Sequence, residues 1–322
     1  MLLGFDIGGT KCAVIIGREC SDEMQIVDKR ILATEHPVHE MISLLFETAE
    51  QLLSDNSIPM QSVSGIGISC GGPLSSTKGL ILSPPNLPGW DNIPIVEMTE
   101  KRFGIKVLLQ NDANAGAVAE WKYGAGKGVN NMIFLTFGTG MGAGLILDGK
   151  LYSGASDLAG EVGHLRLSEM GPVGFGKPGS FEGWCSGGGI AQIGQMLARQ
   201  QIQMGKKISF CNGIDKLAQV NARVIAEAAL KGDATAIEVY RLCAQYLGRG
   251  LSILIDVLNP EMIVLGSIFG RARALLEPEM IRIIQQEAFG DSYLACQIVP
   301  AGLKEQIGDV AALCLASMIS EK

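Results

Sequence analysis

Proline, charge, histidine and aromatic side chains are all scarce in this chain. Twelve prolines in 322 residues, and glycines without a three-residue period, exclude a collagen-like or low-complexity chain. Charged residues make up only 18% of the sequence and sum to −7, with no block of like charge. That balance argues against a duplex nucleic-acid binder, whose affinity comes from lysine and arginine neutralising phosphates. No C-x-x-C pair occurs among the 8 scattered cysteines, and the chain is too long to need disulfide staples, so they read as reduced, mostly buried thiols. Long apolar runs are also missing. The longest uncharged stretches, 56–77 and 129–147, are rich in Gly, Ser, Pro, Asn or Thr, which leaves no membrane span. No basic leader or cleavage site precedes Leu2-Leu3-Gly4-Phe5-Asp6, which points to the cytoplasm.

Glycine, in contrast, is abundant: 42 residues, close to double the usual share of ~7%. At roughly 150 residues per domain the length suggests two domains, and strands alternating with helices argue for an α/β class. Apolar runs at 2–6 and 12–16 flank Ile7-Gly8-Gly9-Thr10-Lys11 and predict a β-hairpin with a glycine turn. A second hairpin of the same form, 131–137 and 143–147, flanks Gly138-Thr139-Gly140-Met141-Gly142. Sliding one on the other aligns Gly8 with Gly138 and Ala13 with Ala143, a weak internal duplication. Helices are expected near 38–53, 113–121, 189–203, 216–230, 234–258, 271–287 and 307–319, with strands at 65–69, 106–109 and 262–265. The domain boundary is expected near 115–125, giving an N-terminal domain over 1–118 and a larger one over 119–322. The glycine-rich 70–90 segment reads as a functional loop.

Two glycines in a turn let backbone N–H groups converge on an anion, and the strand-end carboxylate of Asp6 can hold hydrated Mg²⁺ beside it. An ordinary hairpin turn is the competing reading of either loop alone. Neither loop has the P-loop pattern, and neither opens directly into a helix as a Rossmann turn does. Asp112, before an alanine-rich helix, reads as an N-cap or as a catalytic carboxylate. Lys11 reads equally as a phosphate contact or an exposed hairpin lysine.

The two glycine hairpins, Asn111-Asp112-Ala113-Asn114-Ala115, Gly160-Glu161-Val162-Gly163-His164 and Ile263-Val264-Leu265-Gly266-Ser267 together resemble the ROK family of sugar kinases, across nearly the whole chain. The resemblance implies two actin-like (ribonuclease H-like) domains with a nucleotide and sugar cleft between them. It also implies that the C-terminal helix, about 305–320, packs back on the first domain, and that the protein is a homodimer. The implied activity is transfer of the γ-phosphoryl of Mg-ATP to a hydroxyl, O6, of a hexose or hexose derivative. Asp112 is then the general base, and Asn86, Asn111, Glu161, His164 and Glu182 bind the sugar. Asp6 organises Mg²⁺ through water, while Gly8, Gly9, Thr10, Lys11, Gly138, Thr139 and Gly140 hold phosphates and Gly266 lies on the nucleotide side.

The chain departs from the family at two places. The family's Cys-x-Cys-Gly-x-x-Gly-Cys-x-Glu zinc segment corresponds here to 173–182, where Val173, Phe175 and Ser180 stand in place of the thiolates. One His and Cys185 fall short of four ligands, so no structural zinc is expected, and Phe175 is expected to pack apolar surface there. The Gly266–Gly270 stretch is also poorer in glycine than the family's purine motif. Two other readings are a sugar-responsive repressor, disfavoured because five residues before Asp6 leave no room for a helix-turn-helix, and a sugar-binding protein without catalysis.

Overall fold

The computed structural model describes residues 1–320. The chain divides into two compact units, one made of Met1–Val129, Gly144–Ala159 and Gly302–Lys322, the other of Asn130–Ala143 and Gly160–Ala301.

In the first unit, strand Leu2–Ile7 turns through the glycine loop into Lys11–Cys20, with Ile7 opposite Cys12. A third strand, Glu23–Ala33, pairs antiparallel with the second. Sequence pattern misses it because this sheet edge carries exposed charges such as Glu23, Lys29 and Arg30, which blunt the edge against pairing with other chains. Strands Gly65–Cys70 and Val107–Asn111 extend the sheet in parallel on the other side of Leu2–Ile7. The registers align Ile7, Cys70 and Asn111 at the carboxyl ends of three neighbouring parallel strands.

Each face of this sheet is covered. Helix Val38–Asp55 buries Met41, Ile42, Leu45 and Phe46, and Phe5, Phe46 and Phe103 meet with ring centroids 5.3–6.4 Å apart. On the other face lies helix Ile307–Ser320. It approaches so closely that a Cβ on Gly67 would sit 2.0 Å from the Ala312 carbonyl oxygen, and one on Gly65 2.5 Å from that of Ala316. Part of the glycine excess therefore serves helix-on-sheet packing rather than ligand approach.

Glu120, on helix Asp112–Tyr123, is fully buried, and its carboxylate ties together chain segments far apart in sequence. Oε2 accepts from the N–H of Ala125 (2.8 Å) and Gly302 (3.0 Å), and Oε1 from that of Leu303 (2.9 Å). Removing the buried acceptor takes a partner from three backbone donors at once. Glu120→Ala is expected to lower the unfolding free energy by about 3–5 kcal/mol. Urea denaturation checks this, with Glu120→Gln falling between the variant and the wild type because it keeps one acceptor oxygen.

The second unit holds parallel strands Met132–Leu135, Met262–Leu265 and Gln297–Pro300, with Met262–Leu265 between the other two. Helix Ala234–Leu258 starts at Asp233, whose Oδ1 accepts from Thr235 and Ala236, and ends at left-handed Asn259 before Pro260. The helix expected over 216–230 is two elements. A 3₁₀ turn, Ile214–Gln219, stops at extended Val220, and Asn221 caps a new helix, Ala222–Leu230, by accepting from Val224 N–H. The helix expected from 271 begins at Ile268 and is broken by non-helical Ala272. No helix among the described residues is long and apolar enough to cross a membrane. All 8 cysteines are free, and only Cys20 is exposed.

Candidate functional site

The first unit gathers eight of the expected site residues at the carboxyl ends of its parallel strands. Gly8 N–H closes the hairpin turn on the Lys11 carbonyl (3.1 Å), which leaves the Gly9 and Thr10 N–H groups outside the turn's own bond. Thr34, which the sequence did not flag, donates its hydroxyl to the Gly8 carbonyl at 2.7 Å and its N–H to that of Thr10 at 3.1 Å. Gly9 has no room for a side chain: a Cβ there would lie 2.2 Å from the Asn86 carbonyl oxygen. The Asn86 amide faces Gly71, and Asn111 Nδ2 faces Gly72, so hairpin turn, Asn86 and the strand end Gly71-Gly72 form one surface.

Asn111 is the N-cap of helix Asp112–Tyr123; its Oδ1 accepts from Ala113 N–H at 2.9 Å. That relieves Asp112 of the capping role. Asp112 is the first helical residue, with an exposed carboxylate whose Oδ1 accepts from Ala113 N–H at 2.8 Å. Behind it, Gln110 Oε1 accepts from Asn111 N–H (2.8 Å) and Asn114 Nδ2 (3.2 Å), which steadies the helix start.

Asp6 points toward the start of helix Ile307–Ser320, where a Cβ on Gly308 would lie 2.6 Å from Asp6 Oδ2. Burial, and then the negative charges of Asp112 and Asp309, push the Asp6 carboxyl up to about 6, against the opposing pull of Lys11 and the Ser69 hydroxyl. Asp309 is itself buried and paired with Lys29 at 2.7 Å. Converging carboxylates of this kind form a place where a hard cation is favourable. No group of three or more His, Cys, Asp or Glu among the described residues could enclose a metal. Mg²⁺ takes one or two carboxylates together with water and phosphate oxygens, and Asp6 and Asp112 are the carboxylates that face one another here.

The second unit gathers the remaining candidates. Thr136 closes the second glycine loop: its Oγ1 accepts from Gly142 N–H at 2.9 Å, and its N–H donates to the Gly142 carbonyl at 3.0 Å. The Gly138 carbonyl accepts from Gly187 N–H at 2.8 Å, so the loop rests on the start of helix Gly187–Gln203, whose Ser186 cap accepts from Gly189. Glu182 Oε2 accepts from Met141 N–H at 3.0 Å and lies beside Gly140. The carboxylate expected to bind sugar is thus joined to the second glycine loop.

Glu182 sits on the short helix Phe181–Trp184. Trp184 stacks on Tyr246 with centroids 3.8 Å apart, its indole N–H donates to Ser168 Oγ at 2.9 Å, and Phe181 fills the space left by Gly250. Side chains fixed this way hold Glu182 in one orientation. The turn Val162–His164 carries half-buried His164 next to exposed Glu161, and Gly163 lies against Met141 and Glu182. Gly266 donates its N–H to the Leu135 carbonyl at 2.9 Å, and so has a role in strand register.

At the thiolate positions the structure shows other links. Ser180 caps helix Phe181–Trp184 through Gly183 N–H at 3.1 Å, and Val173 is held by Gln192. Phe175 meets His164 edge-on at 5.1 Å but is 63% exposed. The expected apolar packing is therefore confined to that one ring contact, because the hairpin carrying Phe175 projects its tip outward.

A family model described as the ROK family matches residues 2–319. The chain belongs to the ROK family. It is 29% identical to a glucokinase of Thermotoga maritima over 329 aligned residues, covering 100% of this chain and 98% of that protein. It is 30% identical to the xylose repressor of Caldicellulosiruptor bescii over 286 residues, covering 88% of this chain and 69% of that protein. The structure of a ROK family glucokinase from Streptomyces griseus in complex with glucose and AMPPNP matches with a TM-score of 0.79 and 27% identity over 98% of this chain and 99% of that one. The fold of this ROK chain is accordingly mixed α/β, with two sheet-and-helix domains of the actin-like kinase kind.

Sequence reasoning missed Thr34, Ser69 and Asp309, and it placed Gly71 and Gly72 in the 70–90 functional loop without singling them out. Only the Gly71-Gly72 pair carries a local signal, a glycine doublet following a buried strand.

Proposed function

We propose that this ROK protein is a cytoplasmic, homodimeric kinase that transfers the γ-phosphoryl of Mg-ATP to a hydroxyl, O6, of a hexose or hexose derivative. The observation that carries the reading is the exposed Asp112 carboxylate, relieved of capping by Asn111 and standing at the end of a strand that pairs with the one bearing Cys70, which in turn pairs with the one bearing Asp6. A carboxylate mounted on a rigid helix start takes the proton from the acceptor hydroxyl as that oxygen attacks phosphorus. Asn86 and Asn111 offer amide groups to sugar hydroxyls on the same surface. On the second unit, Glu161, His164 and Glu182 are the candidate sugar ligands by resemblance, and the Glu182 link to Met141 would couple sugar contact to the order of the glycine loop. Gly9, Thr10 and Thr139 present backbone N–H groups to phosphate oxygens, with Lys11 as a nearby cation. Mg²⁺, held through water at Asp6, would neutralise charge on the phosphates.

The glucokinase relatives support this reading, and the xylose repressor supplies the competing one, sugar binding without phosphoryl transfer. A coupled assay of ADP formation with Mg-ATP across aldohexoses, N-acetylhexosamines and glycosides tests it. The expected result is sugar-dependent turnover at least 10²-fold above sugar-free ATP hydrolysis, in line with general-base catalysis. Sugar binding by calorimetry without turnover on any sugar would favour the repressor-like reading.

A further inference from the structure

Phe175 carries two costs that its surroundings do not offset. Its φ of +46° is left-handed, a region that bulky L side chains rarely adopt, and its ring is 63% exposed, so little burial compensates. Its ring partner among the described residues is the imidazole of His164, met edge-on at 5.1 Å and 82°.

The frame under it, in contrast, is fixed. Phe175 stands at the tip of a two-stranded hairpin, Val173–Gly174 against Lys177–Pro178. Gln192 grips one strand by both backbone groups, accepting from Val173 N–H at 2.9 Å and donating to its carbonyl at 2.8 Å. Lys177 Nζ on the other strand donates to the His164 carbonyl at 2.6 Å, which locks the hairpin to the turn that carries His164. Gly174 lies so close to Glu182 and Gly183 that a Cβ would come within 2.6–2.9 Å of them. An exposed phenyl in a strained conformation, presented by a rigid frame beside Glu182 and His164, is the pattern of a residue kept for a ligand.

We propose that Phe175 is a specificity-determining aromatic surface that receives an apolar substituent, an acyl group or a glycosidic aglycone, on the hexose bound by His164 and Glu182. This rests on the reading of those two residues as sugar ligands. The chemistry favours a substituted sugar over the bare one. Around its ring edge a bare hexose carries hydroxyls, and each needs a donor or acceptor that a phenyl ring does not have. A methyl, acyl or aryl group gains dispersion and loses water against the same ring. The acceptor class is therefore hexose derivatives carrying an apolar substituent, with unsubstituted hexoses as weaker acceptors.

The test compares wild type with Phe175→Ala, Phe175→Gly and Phe175→Tyr, using glucose and mannose against their N-acetylamino and phenyl-glycoside counterparts. Both kcat/KM and calorimetric Kd are measured. Wild type is expected to prefer the substituted sugars. The ratio of substituted to parent sugar should fall about tenfold in Phe175→Ala and Phe175→Gly, the scale for one small apolar group, and return in Phe175→Tyr. Glycine accommodates φ +46° without strain, so Phe175→Gly should match or exceed the wild-type thermal midpoint. An unchanged ratio in both variants, a wild type that favours the bare sugars, or a lowered midpoint in Phe175→Gly would each overturn the proposal. The kinase reading fails separately, if wild type turns over no sugar. Calorimetry then decides: a Phe175-dependent preference for substituted sugars sustains the aromatic surface, and its absence removes it.

Discussion

Asp112→Asn is expected to fold like the wild type and to lose between about 10² and 10⁴ of kcat, the usual contribution of a positioned general base. Folding should survive because the cap is Asn111, while Asp112 is exposed at the first helical position. Its loss removes one favourable carboxylate near a helix N-terminus, worth about 0.3–1 kcal/mol. The Ala113 N–H that Asp112 accepts is also accepted by Asn111 Oδ1. Sugar affinity should stay near the wild-type value, since asparagine keeps an acceptor oxygen in the same place, so the loss is expected in kcat rather than KM. Steady-state kinetics on a variant with wild-type circular dichroism and urea midpoint checks this. A folded variant with kcat within tenfold of wild type would remove Asp112 from the role of base.

What could be read from the sequence was local. Each glycine hairpin is one contiguous run in which the turn residues and flanking apolar strands announce each other, and helix 234–258 carries its own cap and stop in Asp233 and Asn259-Pro260. Contacts between distant segments were not legible. Asp309 lies some 300 positions from Asp6, and the two meet only because glycines in the first sheet let helix Ile307–Ser320 settle onto it. No local pattern distinguishes Gly65 and Gly67 in that role from glycines that border a ligand. That Asn111 rather than Asp112 is the cap was not legible for a related reason. Both are good capping residues, and only backbone geometry, extended at Asn111 with φ −61° and ψ 144°, separates them. The link from Glu182 to Met141 spans two motifs that the sequence presents as separate, one for sugar and one for phosphate. Substitution of the expected thiolates was plain, whereas the Gln192 grip on Val173 depends on a helix residue 19 positions away.

Asparagine at position 6 is expected to stabilise the ligand-free protein while disabling it. The Asp6 carboxyl is pushed from 3.8 up to about 6, by burial first and then by Asp112 and Asp309. A native-state value above the unfolded one means that the folded protein still holds this proton after the unfolded chain has released it. The stability this group contributes is therefore complete below about pH 4, is lost as pH rises through about 6, and is absent at higher pH. A gap of about two units corresponds to at most about 3 kcal/mol, a ceiling because Asp6 keeps some contact with solvent. Asp6→Asn cannot ionise, so at pH 7.5 it should unfold at higher urea than wild type, and the difference should shrink toward zero near pH 4. Asp112→Asn removes one of the charges acting on Asp6 and should shift the wild-type pH transition downward. On the proposed reading the same carboxylate would attract Mg²⁺, so Mg-nucleotide should raise the wild-type midpoint more than that of Asp6→Asn. Turnover in Asp6→Asn should fall by about 10²–10³, the scale for losing one preorganised electrostatic partner of the reacting phosphates. Equal urea midpoints at pH 7.5, or Mg²⁺-dependent turnover close to wild type in Asp6→Asn, would show that the converging charges at Asp6 serve neither purpose.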